Sequence, residues 1–224
     1  MEPTIPSIAL STTAVSAAER SRASGPASPQ TQASHAVRWE WDRDVFGPDR
    51  GWTPGMAYSL GVCLGDGALH KDWLTVELGL KDRDILEAVA QTVGIPESAI
   101  RITQRRKEGE IVCATSTLKL CSRSMVRDLL ERTGLPAPGA KHSTIRVPPE
   151  LPDACLPDFL RGLIDTDGTI VKAKKRSPQV VLYSNSLGLL QELQTRIGPL
   201  LGSVRLGAIH EGACRGTHMW AVTG

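Results

Sequence analysis

Phe159-Leu160-Arg161-Gly162-Leu163-Ile164-Asp165-Thr166-Asp167-Gly168 is the stretch on which the reading of this chain turns. It has a weaker echo upstream, Tyr58-Ser59-Leu60-Gly61-Val62-Cys63-Leu64-Gly65-Asp66-Gly67. Both read aromatic, two residues, Gly, four residues, Asp-Gly. Asp-Gly alone is a common turn pair. Two copies, each closing an apolar helical pattern, point instead to a duplicated unit with one carboxylate per half. Small residues four apart, Gly61 and Gly65 in one copy and Gly162 and Thr166 in the other, let two helix backbones approach closely. Such a pair would set Asp66 and Asp167 at adjacent helix C-termini. A carboxylate there meets the negative end of the helix dipole, at a cost of ~0.3–1 kcal/mol, and it faces a second carboxylate. A divalent cation relieves both, because hard cations favour carboxylate and carbonyl oxygens. The pattern therefore predicts a Mg2+ site, with Mn2+ able to substitute.

Composition sets the frame around this motif. The chain has 224 residues, 41% hydrophobic but only 4% aromatic, so aliphatic side chains must build its core. The net charge of +2 does not announce a nucleic-acid binder, and any basic surface must be local. The five cysteines, Cys63, Cys113, Cys121, Cys155 and Cys214, show no zinc spacing, which fits a reducing compartment. No signal peptide or membrane-length apolar run is visible. These features predict a soluble, cytoplasmic protein with no membrane partner.

Residues 1–36 are rich in Ala, Ser, Thr and Pro without periodicity and are expected to form a disordered tail. A lead-in at 37–52 carries Trp39, Trp41 and Phe46 and is expected to pack on the domain. The first half, 53–134, begins with Thr53 as N-cap and Pro54 at the first helical position. A strand over Trp73–Leu78 follows, then a helix capped by Asp82 and ended by Gly94. A strand pair turns around Glu108-Gly109, and a short helix spans Met125–Arg132. Residues 135–156 form a proline-rich linker, expected to be extended. The second half, 157–224, replays the order: a helix to Asp167, a hairpin over Thr169–Lys174 and Gln179–Tyr183, a helix capped by Ser186, and strands over Val204–Ile209 and His218–Val222. The replay ends before a counterpart of the 125–132 helix, which reads as a C-terminal truncation.

The two segments resemble the paired motifs of the LAGLIDADG homing endonucleases in their single-chain, two-repeat form. Gly162 to Gly168 follows the motif closely, and Leu60 to Gly67 follows a divergent version of it. The resemblance implies an α+β fold of two pseudo-symmetric αββαββ(α) halves packed through the motif helices, each with a curved antiparallel sheet saddling the DNA major groove. It also implies a monomer that binds a long double-stranded DNA site. Asp66 and Asp167 would hold the metals that hydrolyse phosphodiester bonds across the minor groove, as in intron homing by mobile elements. The family often places a lysine near each site, and Lys119 on the last strand of half one is the candidate. The aligned position in half two is Ala221, which puts balanced cutting of the two strands in doubt.

DNA contacts are assigned to Arg101, Gln104, Arg105, Arg106 and Lys107 on the third strand of half one. In half two they are assigned to Lys172, Lys174, Lys175, Arg176 and Gln179 around the hairpin and to Arg205 on a later strand. Lysines and arginines would hold phosphates, while Arg and Gln on one face could read bases. The alternative is a non-cleaving nucleic-acid-binding protein of the same fold, either an intron RNA maturase or a DNA-binding regulator. His70, His142, His210 and His218 have no ligand spacing. Asp165 faces Leu64 in the upstream copy and stands outside the catalytic set.

Overall fold

The computed structural model describes residues 42–133, 142–172, 178–202, 204–212, 214 and 216–223. The expected tail at 1–36, Trp39, Trp41, Lys174, Lys175 and Arg176 lie outside these residues.

The chain runs as two similar halves. Half one contains α1 (Pro54–Gly65), β1 (Gly67–Leu69), β2 (Leu74–Gly79), α2 (Arg83–Thr92), β3 (Arg101–Lys107), β4 (Glu110–Leu120) and α3 (Arg123–Thr133). Half two contains α4 (Leu156–Asp167), β5 (Gly168–Val171), β6 (Gln179–Ser184), α5 (Leu187–Ile197), β7 (Arg205–Glu211) and β8 (His218–Thr223). The strands form two four-stranded antiparallel sheets, ordered β1-β2-β4-β3 and β5-β6-β8-β7. The identical order supports a duplication, because one meander-like arrangement recurs on unrelated side chains. The fold is the expected α+β architecture of two pseudo-symmetric halves.

Local chemistry accounts for the ends of the elements. Thr53 caps α1, its hydroxyl accepting from the Met56 N–H at 3.1 Å, with Pro54 following. Ser186 caps α5 in the same way, accepting from Leu189 N–H at 3.2 Å. Asp82 does not cap α2. A short 3-10 turn over Leu80–Asp82 leads into that helix, and no side-chain cap bond forms. Glu108 and Gly109 both take positive φ between β3 and β4, the geometry of a tight two-residue hairpin.

Burial alternates along the inner strands. Leu74, Val76, Leu78, Leu118 and Leu120 face the helices, while Thr75, Glu77, Thr117 and Lys119 face out. In half two Leu182 and Trp220 are buried in the same way, with Val181 buried beside Leu182.

Each half also takes a short stretch of chain upstream of its motif helix into the core. Val45 and Phe46 are buried before α1, and Asp42 N–H donates to Val93 O at 2.9 Å. Ile145, Val147 and Leu151 are buried before α4. The linker is therefore not a free spacer over 145–155. Ser186 Oγ donates to Ile145 O at 2.7 Å, Val147 N–H donates to Glu192 at 2.8 Å, and Arg196 donates to Leu151 O and pairs with Asp153. Proline blocks helix here, but apolar residues between the prolines dock the segment on α5.

Candidate nucleic-acid interface and metal centre

The centre of the molecule is the crossing of α1 and α4. A Cβ added to Gly61 would overlap the carbonyl oxygen of Phe159 and lie 3.1 Å from Gly162 Cα. A Cβ on Gly162 would overlap the carbonyl oxygen of Tyr58 and lie 3.1 Å from Gly61 Cα. The two glycines face each other where the backbones touch, so no larger residue fits at either. One turn on, a Cβ on Gly65 would meet the Thr166 side chain and come within 3.4 Å of Asp167 Oδ2. Thr166 turns its hydroxyl into its own helix, donating to Gly162 O at 3.1 Å or Leu163 O at 3.0 Å. The four small residues of the motif thus all sit at this contact.

Asp66 and Asp167 follow directly from it. Asp66 lies just past the end of α1 and Asp167 at the end of α4. Both keep solvent-exposed surface, but protein atoms crowd their inner sides. Crowding first, and the charge of Asp66 second, raise the Asp167 carboxyl to about 6. Asp66 is also raised, by crowding and then by Asp82. Two crowded carboxylates, one raised in part by the charge of the other, form a donor set suited to a hard cation. Among the described residues no group of three or more His, Cys, Asp or Glu could hold a metal. A pair of carboxylates completed by water and phosphate oxygens is what Mg2+ ordinarily takes, so the residues fit the ion. A cavity of about 270 Å³ of mixed polar and apolar lining adjoins Asp167, with Leu163, Leu182, Tyr183, Ser184, Asn185 and Thr217 in its wall.

Asp165 is placed elsewhere. Tyr58 donates its hydroxyl to Asp165 Oδ2 at 2.8 Å, and the Arg161 guanidinium lies over the Tyr58 ring at 4.4 Å. This cluster ties the two motif helices together on a flank. The sequence carried a signal for it, since Tyr58 is the only motif aromatic with a hydroxyl, but its partner could not be named without the crossing.

Strand register settles the Lys119 alignment. Ala68, Thr75 and Lys119 form one row across β1, β2 and β4. Thr169, Val181 and Ala221 form the matching row across β5, β6 and β8. Lys119 is exposed on the open face, and its Nζ lies 3.9 Å from the centroid of the Trp73 ring. His70 stacks on Trp73 at 4.8 Å. Trp73 is a site residue that no sequence pattern marks. Its place immediately before a strand becomes informative only once β4 lies alongside.

The basic residues divide by face. Paired residues of a sheet point the same way, so Arg101 (opposite Thr117), Thr103 (opposite Thr115) and Arg105 (opposite Cys113) share the open face with Lys119. Gln104 pairs with Ala114 and Ile102 with buried Ser116, which places both on the other face. The expectation that Gln104 and Arg105 share one face is therefore corrected. A register shift separates Arg105 from Arg106, and Arg106 donates to Gly109 O at 3.3 Å. The whole of β3 is exposed, so the hairpin with Arg101, Arg105, Arg106 and Lys107 stands away from the core. In half two, Val171, Gln179, Thr223 and Arg205 form one open-face row. Gln179 donates to Thr223 Oγ1 at 3.4 Å, and exposed Lys172 follows β5.

Comparison with known proteins agrees with this architecture. Residues 156–201 match the family model of a LAGLIDADG-like domain. No curated protein sequence matches the chain. The structure of full-length DUF199/WhiA from Thermotoga maritima aligns with 13% identity over 81% of this chain and 55% of that one, with a TM-score of 0.51. The N-terminal LAGLIDADG domain of DUF199/WhiA aligns at 14% identity over 81% of both chains, TM-score 0.49. I-DmoI in complex with DNA and Mn aligns at 15% identity over 76% of this chain and 89% of that one, TM-score 0.46. At these identities the likeness is one of fold. With the motif duplicated, its helices crossing at paired glycines and the family model matching residues 156–201 around the second copy, this chain carries a LAGLIDADG-like domain.

Proposed function

We propose that the protein is a site-specific endonuclease acting on double-stranded DNA with a divalent metal, Mg2+ in the first instance. One observation carries the proposal: the Gly61–Gly162 crossing sets two crowded carboxylates, Asp66 and Asp167, side by side at one end of the helix pair. A protein that only bound DNA would gain nothing from setting the charge of Asp66 beside Asp167. Asp66 and Asp167 would hold the metal, which when bound supplies a nucleophilic water and charge stabilisation at phosphorus. The chain's own residues do the rest. The Gly65–Thr166 contact holds the two carboxylates at the end of a rigid helix pair. Arg101 and Arg105 on one open face, and Arg205 with Lys172 on the other, neutralise the phosphates of a bound duplex. Lys119 offers an ammonium to the charge that develops at the scissile phosphate.

A second reading is favoured by Ala221: a binding protein of the same fold, without cleavage, acting on DNA or on intron RNA. One experiment separates the two. The full chain is used to select bound duplexes from a randomised library, and these are then incubated with Mg2+ or Mn2+. Cleavage that disappears in EDTA, and in Asp66→Asn or Asp167→Asn with binding retained, supports the nuclease. Tight binding with intact product supports the binding protein.

A further inference from the structure

We infer that the two halves are catalytically unequal, and that Trp73 is the positioning residue that makes half one the faster. The inference rests on the endonuclease reading and adds to it an order of strand cutting.

The argument is one of matched positions. The row Ala68–Thr75–Lys119 corresponds to Thr169–Val181–Ala221, since each begins two residues beyond its aspartate and crosses three strands in the same order. One step further along the β2 and β6 strands, the same correspondence sets Trp73 against Gln179 and His70 against Val171. In half one, an indole therefore lies beside the lysine and carries its ammonium 3.9 Å above the ring. In half two, both members of that pair are replaced, the lysine by a methyl group and the indole by an amide that bonds Thr223. The asymmetry is thus of a unit and not of a single residue.

The physical consequence follows from what the indole does to the lysine. A lysine on an open sheet face has four rotatable bonds and many conformers, and holding it in one place costs entropy. The ring face of Trp73 attracts the ammonium and narrows that ensemble without neutralising the charge. His70, stacked on Trp73, keeps the ring from turning. Half one presents a pre-placed cation on the strand row that begins two residues beyond Asp66, and pre-placed charge stabilises a transition state more than charge that must reorganise. Arg205 in half two cannot do the same work. It lies at the far side of its row, across Thr223 from Gln179.

The test reads both strands of one duplex in one reaction. A duplex selected by the full chain from a randomised library is labelled differently on each strand and cut with Mg2+ under single-turnover conditions. The wild type is expected to cut one strand about 100-fold faster than the other, the size of effect that removal of one such donor has. Lys119→Met should bring the fast strand down to the slow one and leave the slow one unchanged. Trp73→Leu should lower the fast strand by about 10-fold, with most of the loss recovered in Trp73→Phe, which keeps a ring face. Ala221→Lys combined with Gln179→Trp should speed the slow strand. Damage to the fold would slow both strands together, so the ratio isolates the effect. Equal rates in the wild type, or an unchanged ratio in Lys119→Met, would overturn the inference and leave the nuclease intact. A duplex that is bound but cut on neither strand would overturn the nuclease reading and this inference with it.

Discussion

The two halves share a topology and differ in almost every side chain that faces away from the core. Half one turns Arg101, Thr103, Arg105, Thr117 and Lys119 outward from its sheet. Half two turns Val171, Gln179, Tyr183 and Ala221 outward, with Arg205 at the edge. The inner residues changed far less in character, since both sheets bury aliphatic side chains against their helices. Core positions answer to packing, which any duplicate must satisfy. Open-face positions are free of that constraint, and the two halves need not keep them alike.

The comparison can be broken most directly at the point where the halves are equal. Asp66 and Asp167 stand at matching helix ends, so Asp66→Asn and Asp167→Asn should each reduce cleavage by about 1000-fold or more, with duplex affinity by gel shift changing little. Persistence of cutting in either variant would mean the two carboxylates do not form one centre. Next in size is the crossing. Gly61→Ala and Gly162→Ala each drive a methyl into a backbone carbonyl of the other helix. Each should cost about 1–3 kcal/mol, read as a lowered urea midpoint, and the two costs should be similar because the contact is reciprocal. Gly65→Ala meets a side chain, Thr166, rather than backbone, and should cost less.

The open faces supply a smaller effect. Arg105→Ala and Arg205→Ala should each weaken duplex binding and reduce the salt dependence by about one unit of slope. A change confined to one base position would instead mark that arginine as a base reader. The smallest effect concerns pH. Asp167 titrates near 6 in the fold against about 3.9 in an unfolded chain, so the folded state holds its proton more tightly. Its contribution to stability is therefore most favourable below about pH 4 and is lost as pH rises through 6. In EDTA at pH 7, Asp167→Asn should raise the melting temperature by about 2 °C, allowing for solvent screening. At pH 4 the gain should vanish, and thermal melts at the two pH values check both halves of the claim.

Much of this was legible in the chain itself. Thr53-Pro54 and Ser186 announced helix starts, Glu108-Gly109 a hairpin turn, and the small residues Gly61, Gly65, Gly162 and Thr166 a close helix contact. Each of these signals is local, written within a turn or two of chain. What the sequence hid was of another kind. Asp82 looks like a cap but ends a 3-10 turn and makes no side-chain cap bond to the helix that follows. The prolines of the linker suggested an extended segment, but not that Ile145, Val147 and Leu151 would be buried against α5. Gln104 was grouped with Arg105, although adjacent residues of a strand point to opposite faces and the pairing with Ala114 shows which face each takes.

The sequence alone determined that there are two carboxylates, one per copy, each closing a helix whose small residues permit close approach. Tertiary structure decided that the copies meet at Gly61 and Gly162, that Asp165 bonds Tyr58 instead of joining the centre, and that Lys119 rests on Trp73 while Ala221 has nothing comparable. The reason is physical: periodicity encodes which face a residue takes within its own element, whereas contacts between elements depend on strand register and helix crossing, which are set by the packing of segments far apart in the chain.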